Sequence, residues 1–327
     1  MDAEAGALGA RAGEPPVAAG HAPGLPGQRR GPGWRRAVRR NAKYLTLAPV
    51  TLYMGAILGI PLILAIWYSL TDISTSQVTV RFVGLDNFIS LVHDPVFLQA
   101  LLNTLIYGGV STILTAVIGT AMAFVLLPSF RGKAVVRFVM MLPWTIPIPL
   151  SLVGWQWIYD PQFSVINWIA QQLHLMSSPG VQWLGFPNTA MISIIMANVW
   201  HNLPFAAIIF VAAIIGVPHE LVEAAKVDGA GWLRRLTQVM LPLAAPVLLL
   251  GFIFNMVFNF TDLTIVYLLT QGGPGNGTNI LAFDAFQTGI ESGNLGRGAA
   301  ISVFLLPFLI LVSFLFLRAI RRARVAM

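Results

Sequence analysis

The chain has 327 residues, 56% of them hydrophobic and 10% charged, with a net charge of +7 and no cysteine. Ordinary soluble domains run near half apolar and about a quarter charged, so this balance excludes a soluble enzyme and a nucleic-acid-binding domain. The missing cysteines exclude a disulfide scaffold, a thiolate metal site and a cysteine nucleophile. The apolar residues gather in six runs, each reaching the ~17–25 residues a helix needs to cross a hydrocarbon core. These are Leu45–Leu70, Thr104–Leu127, Phe138–Ile158, Ala190–Ile215, Leu243–Val266 and Gly298–Leu317. Within them the only Asp, Glu, Lys, Arg or His residues are His201 and Asp262. The expected architecture is an all-α polytopic membrane protein with six transmembrane helices.

Lys and Arg orient those helices, because cytoplasmic loops carry the excess of both. Residues 1–43 hold eight, and the connections 128–137 and 216–242 and the tail after Leu317 hold ten more, so 18 of the 20 fall in alternate loops. The other three loops, 71–103, 159–189 and 267–297, contain only Arg81 and Arg297. Both termini are therefore expected in the cytoplasm and those three loops outside. Of the first 33 residues, 21 are Ala, Gly or Pro, a composition that buries too little apolar surface to offset its ordering entropy. Residues 1–43 read as a disordered basic cytoplasmic tail and 44–327 as one membrane domain. Arg35, Arg36, Arg39 and Arg40 before the first run read as an inside anchor, since that run is too long for a signal-peptide core.

Along the chain, Pro49 and Pro61 mark kinks in the first span, and Pro143, Pro147 and Pro149 mark them in the third. Trp155 and Trp157, near the end of the third span, fit the interfacial aromatic belt. Apolar spacing over 86–92, 95–101 and 165–170 predicts short interfacial helices. Gln271–Gly277 predicts a turn.

The connection Pro218–Leu236 reads as two short helices around a turn. Pro218 suits a first helical position, Gly229 a left-handed stop, and Trp232 the start of a second amphipathic stretch. Small residues at 224, 225 and 230 permit close approach of another surface, while Glu223 offers a carboxylate to a partner's cation. An interfacial linker between spans fits this spacing as well as a docking hairpin does.

Asn198, His201, Asn202 and Phe205 fall at i, i+3, i+4 and i+7 in the fourth span, and Asn255, Asn259 and Asp262 recur at similar spacing in the fifth. Polar groups in spans face an interior or a wet cavity. Two readings fit: hydrogen bonds that join helices, or a surface for a polyol, with amides and a carboxylate for its hydroxyls and a ring for its apolar face.

Glu223-Ala224-Ala225, three residues, Gly229, nine residues, Val239, one residue and Leu241-Pro242 resemble the coupling-loop signature of the membrane subunits of binding-protein-dependent ABC importers. Val239 stands where Ile is more usual. Phe82–Phe88, Asn103-Thr104-Leu105 and Leu268–Pro274 extend the likeness to sugar permeases of the maltose and glycerol-phosphate type, and the chain is similar to actinobacterial disaccharide permeases, the trehalose type among them.

The resemblance implies a type I ABC importer permease fold in the bacterial inner membrane. It gives Glu223, Ala224, Ala225, Asp228, Gly229 and Ala230 the role of ATPase coupling. It gives Asn198, His201, Asn202, Phe205, Asn255, Asn259 and Asp262 the role of substrate contact. It further implies a second permease chain, two ATPase subunits, an extracytoplasmic sugar-binding protein, a sugar substrate and surrounding lipid. No Gly-x-x-x-x-Gly-Lys-Ser/Thr segment occurs, so no cofactor is expected on this chain, and ATP and Mg are expected on the partner ATPase. An ion-coupled secondary transporter is the alternative. Such proteins normally place several ionisable groups at the midplane in repeated halves, whereas here His201 and Asp262 stand alone and no repeat is found.

Overall fold

Backbone N–H and C=O groups in hydrocarbon must be satisfied within the segment that carries them, so the apolar runs become helices. The computed structural model describes residues 33–76, 79–177 and 179–325, with side chains described over 47–321 of these. Residues 1–32 of the expected tail lie outside the described residues, while 33–43 are helical. By contacts the chain divides into Met1–Leu58 and Gly59–Met327. Helix α1, Gly33–Ser69, supplies the described part of the first unit.

Among the described residues, five apolar helical segments are long enough to cross a membrane: Leu47–Ser69, Pro95–Leu126, Pro187–Ile215, Trp232–Thr261 and Leu295–Arg321. The third expected span is a broken pair, α4 (Lys133–Thr145) and α5 (Ile148–Tyr159), bent by 97°. Pro147 causes the break, because the ring disfavours helical geometry at the residue before it, and Ile146 is extended at φ −77 and ψ 131. Pro143 stays inside α4, and Pro149 lies in the first turn of α5.

Other boundaries moved for similar local reasons. Helix α2 is Asp86–Val92, but the expected interfacial helix at 95–101 is the first part of one long helix, α3 (Pro95–Leu126). Asp94 caps it, accepting from the Val96 N–H at 2.8 Å. After α6 (Val165–Gln172), α7 runs Pro187–Ile215, followed by α8 (His219–Val227) and α9 (Trp232–Arg235). A π-helical turn, Leu236–Met240, joins α9 to α10 (Leu241–Thr261). Short helices α11 (Thr264–Leu269) and α12 (Leu281–Phe286) precede α13 (Leu295–Phe304) and α14 (Leu306–Val325).

The centre of Gly59–Met327 is the mutual packing of α3, α7 and α10. Small residues let these helices approach closely: a Cβ at Gly108 would stand 2.6 Å from the Phe260 ring, and one at Gly251 the same distance from Ile209. Trp155, expected in an interfacial belt, instead packs edge-on to Trp200 at 5.6 Å and joins the buried cluster around Tyr159 and Ile194. Trp157 remains 75% exposed, as a belt residue should.

The segment after α11 turns sharply, as its glycines predict, with Gln271, Gly272, Gly275 and Asn276 all at positive φ. It is clamped to the start of α3: Asn103 Nδ2 donates to the carbonyls of Asn276 and Asn279, both at 2.9 Å, and Thr104 Oγ1 accepts from the Leu281 N–H at 2.8 Å. On the same side Arg297 pairs with Asp94, and Asp72 with Arg81.

Candidate functional site

The connection between α7 and α10 folds as a helical hairpin. Pro218, expected inside the first helix, is its N-cap residue, with ψ 124. Glu220 in the first turn and Lys226 in the last complement the helix dipole of α8. Gly229 stands at φ +77. Its N–H donates to the Lys226 carbonyl at 3.1 Å, and the Ala230 N–H donates to the Ala225 carbonyl at 2.9 Å. Those two bonds form a Schellman closure, which needs a left-handed residue at this position. The Glu-Ala-Ala segment and the distant glycine thus meet in one turn.

The side chains of this hairpin are available to a partner. No residue of α8 is buried. Glu223, Ala224, Asp228 and Gly229 are exposed, while Ala225 and Ala230 are half-buried. Glu223 has one weak neighbour, His219 Nε2 at 3.8 Å. Around the carboxylates stand Leu221, Val227, Trp232 and Leu233, Val227 being 85% exposed. The surface is mixed acidic and apolar, open, and held by backbone bonds. Trp232 also meets the Phe124 ring of α3 edge-on, an attachment that spacing alone did not indicate.

The polar residues of α7 and α10 form a second feature. Asn198 Nδ2 donates to Asn259 Oδ1 at 2.8 Å, and Asn198 Oδ1 accepts from Asn202 Nδ2 at 2.8 Å. Asn259 Nδ2 donates to Asn255 Oδ1 at 2.9 Å and to Thr112 Oγ1 of α3 at 3.0 Å. The two expected stripes therefore interlock, with Thr112 as a member that the sequence did not single out. Asn198, Asn255 and Asn259 are all buried, and in this conformation Asn198 and Asn259 spend their side-chain bonds on each other and their neighbours.

Asp262 does not share that face. α10 ends at Thr261, and Asp262 is extended at ψ 120, so the helical relation to Asn259 fails at this residue. Its Oδ1 accepts from the Thr264 N–H at 2.9 Å and from Thr264 Oγ1 at 2.5 Å. The carboxylate closes the turn into α11.

His201 and Phe205 lie instead against Trp144 of α4. Phe205 stacks on that indole with ring centroids 4.9 Å apart and planes 16° from parallel, and His201 is 5.4 Å from it. Trp144 is 37% exposed, and Asn202 beside the cluster is half-buried. An amide next to stacked rings is where this arrangement can still take a polar ligand with an apolar face. Trp144 was visible only as one aromatic among prolines. A separate cavity of about 610 Å³, bounded by Tyr68, Phe260, Phe286, Ile301 and Leu305, is apolar and includes none of the expected substrate contacts.

Comparison with known proteins agrees with this geometry. The family described as "Binding-protein-dependent transport system inner membrane component" matches residues 115–325. The trehalose/maltose transport system permease protein MalF of Thermococcus litoralis is 31% identical over 277 residues, covering 84% of this chain and 92% of that one. The diacetylchitobiose uptake system permease protein DasB of Streptomyces coelicolor is 30% identical over 286 residues, covering 85% and 86%. A solved bacterial ABC transporter that imports the acidic polysaccharide alginate has a chain of the same fold, with TM-score 0.72 at 20% identity over 88% of this chain and 98% of that one. The chain is a multi-pass protein that belongs to the family of inner-membrane components of binding-protein-dependent transport systems.

Proposed function

We propose that this chain is the permease subunit of an ATP-driven importer for a neutral disaccharide or oligosaccharide. The observation that carries it is the hairpin α8–α9: a rigid turn closed on Gly229, offering Glu223 and Asp228 beside exposed apolar side chains. That surface suits an ATPase subunit bringing a cation and an apolar cleft. Two such ATPases, a second permease chain and an external sugar-binding protein complete the proposed assembly, with ATP and Mg held by the ATPases and both termini in the cytoplasm. The sugar class is supported by the names of the relatives, for maltose, trehalose and diacetylchitobiose systems.

Chemistry within the spans supports a neutral ligand. None of the six apolar runs contains Lys or Arg, so nothing there would neutralise a sugar phosphate. Among the proposed contacts, half-buried Asn202 and Phe205 form the reachable face, with Trp144 added, while His201 packs against the same indole but is buried. Asn198, Asn255 and Asn259 would reach a sugar only after their network reopens. ATP-driven closure of the ATPases would move the hairpin, and with it α7 and α10, alternating the cavity between outward and inward access. Hydrolysis would reopen it inward.

The deciding experiment is copurification from mild detergent after expression in cells that supply the proposed ATPase and sugar-binding protein. The wild-type chain should bring the ATPase with it and Glu223→Arg should not. A chain that transports sugar in vesicles with no ATPase present would establish the secondary-transporter reading instead.

A further inference from the structure

Helix α3 carries three hydroxyls that nothing above employs. Tyr107, Ser111 and Thr115 are each 0% exposed, and among the described residues their oxygens have no hydrogen-bond partner. They fall at i, i+4 and i+8, a stripe about 12 Å long by helical rise. The same row continues through Gly119, which meets Ala206 and Phe210 of α7, and through buried Ala123. Polar groups therefore occupy one end of the α3–α7 contact and small apolar groups the other.

Helix α3 shows that its hydroxyls have another option. Thr104, Thr112 and Thr120 donate to the carbonyl four residues back at 2.7, 2.6 and 2.7 Å. Ser111 and Thr115 make no such bond. A buried hydroxyl without a partner is unfavourable, and Ala or Val would pack there without that penalty. No direct hydrogen bond between α3 and α7 is found among the described residues; the two are joined by packing and, through Asn259 of α10, by the bonds to Thr112 and Asn198.

We propose that this face of α3 is a wall of the sugar path that the present conformation closes. In a second conformation α3 separates from α7 along the row, and Tyr107, Ser111 and Thr115 bind water and the hydroxyls of the passing sugar. The stripe lies beside Thr112, which already ties α3 to the asparagine network through Asn259, so opening the row would extend that polar surface along α3. The inference rests on the import reading and extends it to a helix outside the expected site.

The absence of native cysteine makes the test direct. Ser111→Cys and Thr115→Cys each place one thiol of similar size in the row. Their modification by a small, membrane-impermeant methanethiosulfonate is measured in the assembled transporter, nucleotide-free and with ATP bound to a hydrolysis-deficient ATPase. Ser177→Cys, at an exposed loop position, serves as the always-reactive control. The expected result is labelling of the row in one state and protection in the other, with uptake by Ser111→Ala and Thr115→Val lowered about fivefold or more. Protection in both states overturns the proposal, and so does state-dependent labelling with unchanged uptake in the Ala and Val variants. ATP-dependent uptake by the wild type in the same vesicles judges the import reading independently.

Discussion

Trp232, the first residue of α9, meets Phe124 near the end of α3 edge-on, with ring centroids 6.2 Å apart and planes at 78°. This is a direct attachment of the hairpin to a helix that is not its chain neighbour. The covalent routes lead from the hairpin only to α7 and α10. Through the two rings, a displacement of α9 also reaches α3, and thence the asparagine network at Thr112.

Edge-to-face pairs contribute about 0.5–1.5 kcal/mol beyond area burial, which corresponds to a two- to tenfold change in a coupled equilibrium. Trp232→Ala should therefore lower uptake severalfold while ATPase copurification and basal ATP hydrolysis persist, and Trp232→Phe should retain most transport. Equal losses for Ala and Phe, or loss of ATPase binding with Ala, would assign Trp232 to the docked surface instead.

Gly229 carries the hairpin's turn. A Cβ there would meet nothing within 4 Å, so the obstacle to substitution is φ +77 rather than space. Left-handed geometry costs about 1–2 kcal/mol for an ordinary L-residue and less for Asn. Gly229→Val should reduce both uptake and ATPase copurification, and Gly229→Asn should restore part of each. Normal uptake by the Val variant with its ATPase would be incompatible with a docking role for this turn.

The asparagine network and the aromatic cluster should separate on kinetics. Asn259→Ala strands Asn198 Nδ2 and Asn255 Oδ1, and interhelical bonds in membranes contribute about 0.6–2 kcal/mol each. The purified variant should melt several degrees lower, with an unchanged concentration dependence of uptake in the protein that survives. Trp144→Ala should do the reverse, shifting that dependence toward higher sugar with little change in melting. A raised half-saturating concentration for Asn259→Ala would show that the reopened network contacts the sugar.

Much of this was legible in the sequence, and the failures have physical causes. Apolar run length located five spans, but the second begins earlier at its Asp94 cap, and the fifth begins earlier, at Trp232, and stops short at Asp262. The break at Pro147 followed from proline chemistry, but its 97° size did not. The hairpin was legible because the Schellman turn is local, needing only Gly229 and the carbonyls of Lys226 and Ala225. Helical periodicity correctly grouped the asparagines, yet could not tell that two helices would interlock and satisfy each other. It failed at Asp262, where Thr264 captures the carboxylate and the helix stops. Asn103-Thr104 carried the family likeness without a reason, and the reason is the clamp on Asn276, Asn279 and Leu281.

The orientation expected from the charge split is open to thiol labelling. Ser177→Cys and Ser292→Cys, both exposed loop positions, should react with an impermeant reagent in cells with an intact inner membrane, and Gln238→Cys in the π-helical turn after the hairpin should react only after permeabilisation. Thr278 is unsuitable for the third loop, being wholly buried and bonded to Thr270 and to the Gly273 carbonyl. Labelling at 238 alone would invert the topology.

Asp284, in α12 outside the spans, gives the pH prediction. It is 7% exposed, and burial pushes its carboxyl above the ordinary value of 3.8; Asp94 pushes the same way, while the Asn279 amide at 3.4 Å and the Arg297 cation pull it back. Because the folded state holds this proton more tightly than the unfolded chain, the contribution of Asp284 to stability is full below pH 3.8. It is lost as pH rises through the folded value. Asp284→Asn imitates the protonated form at every pH. The variant should therefore melt above the wild type at neutral pH, and the gap should narrow as the solution is acidified toward the ordinary carboxyl range. Thermal unfolding of the detergent-purified chain across that range measures it. A variant that melts lower at neutral pH would show that Arg297 holds the carboxylate charged in the fold, outweighing burial and the repulsion of Asp94.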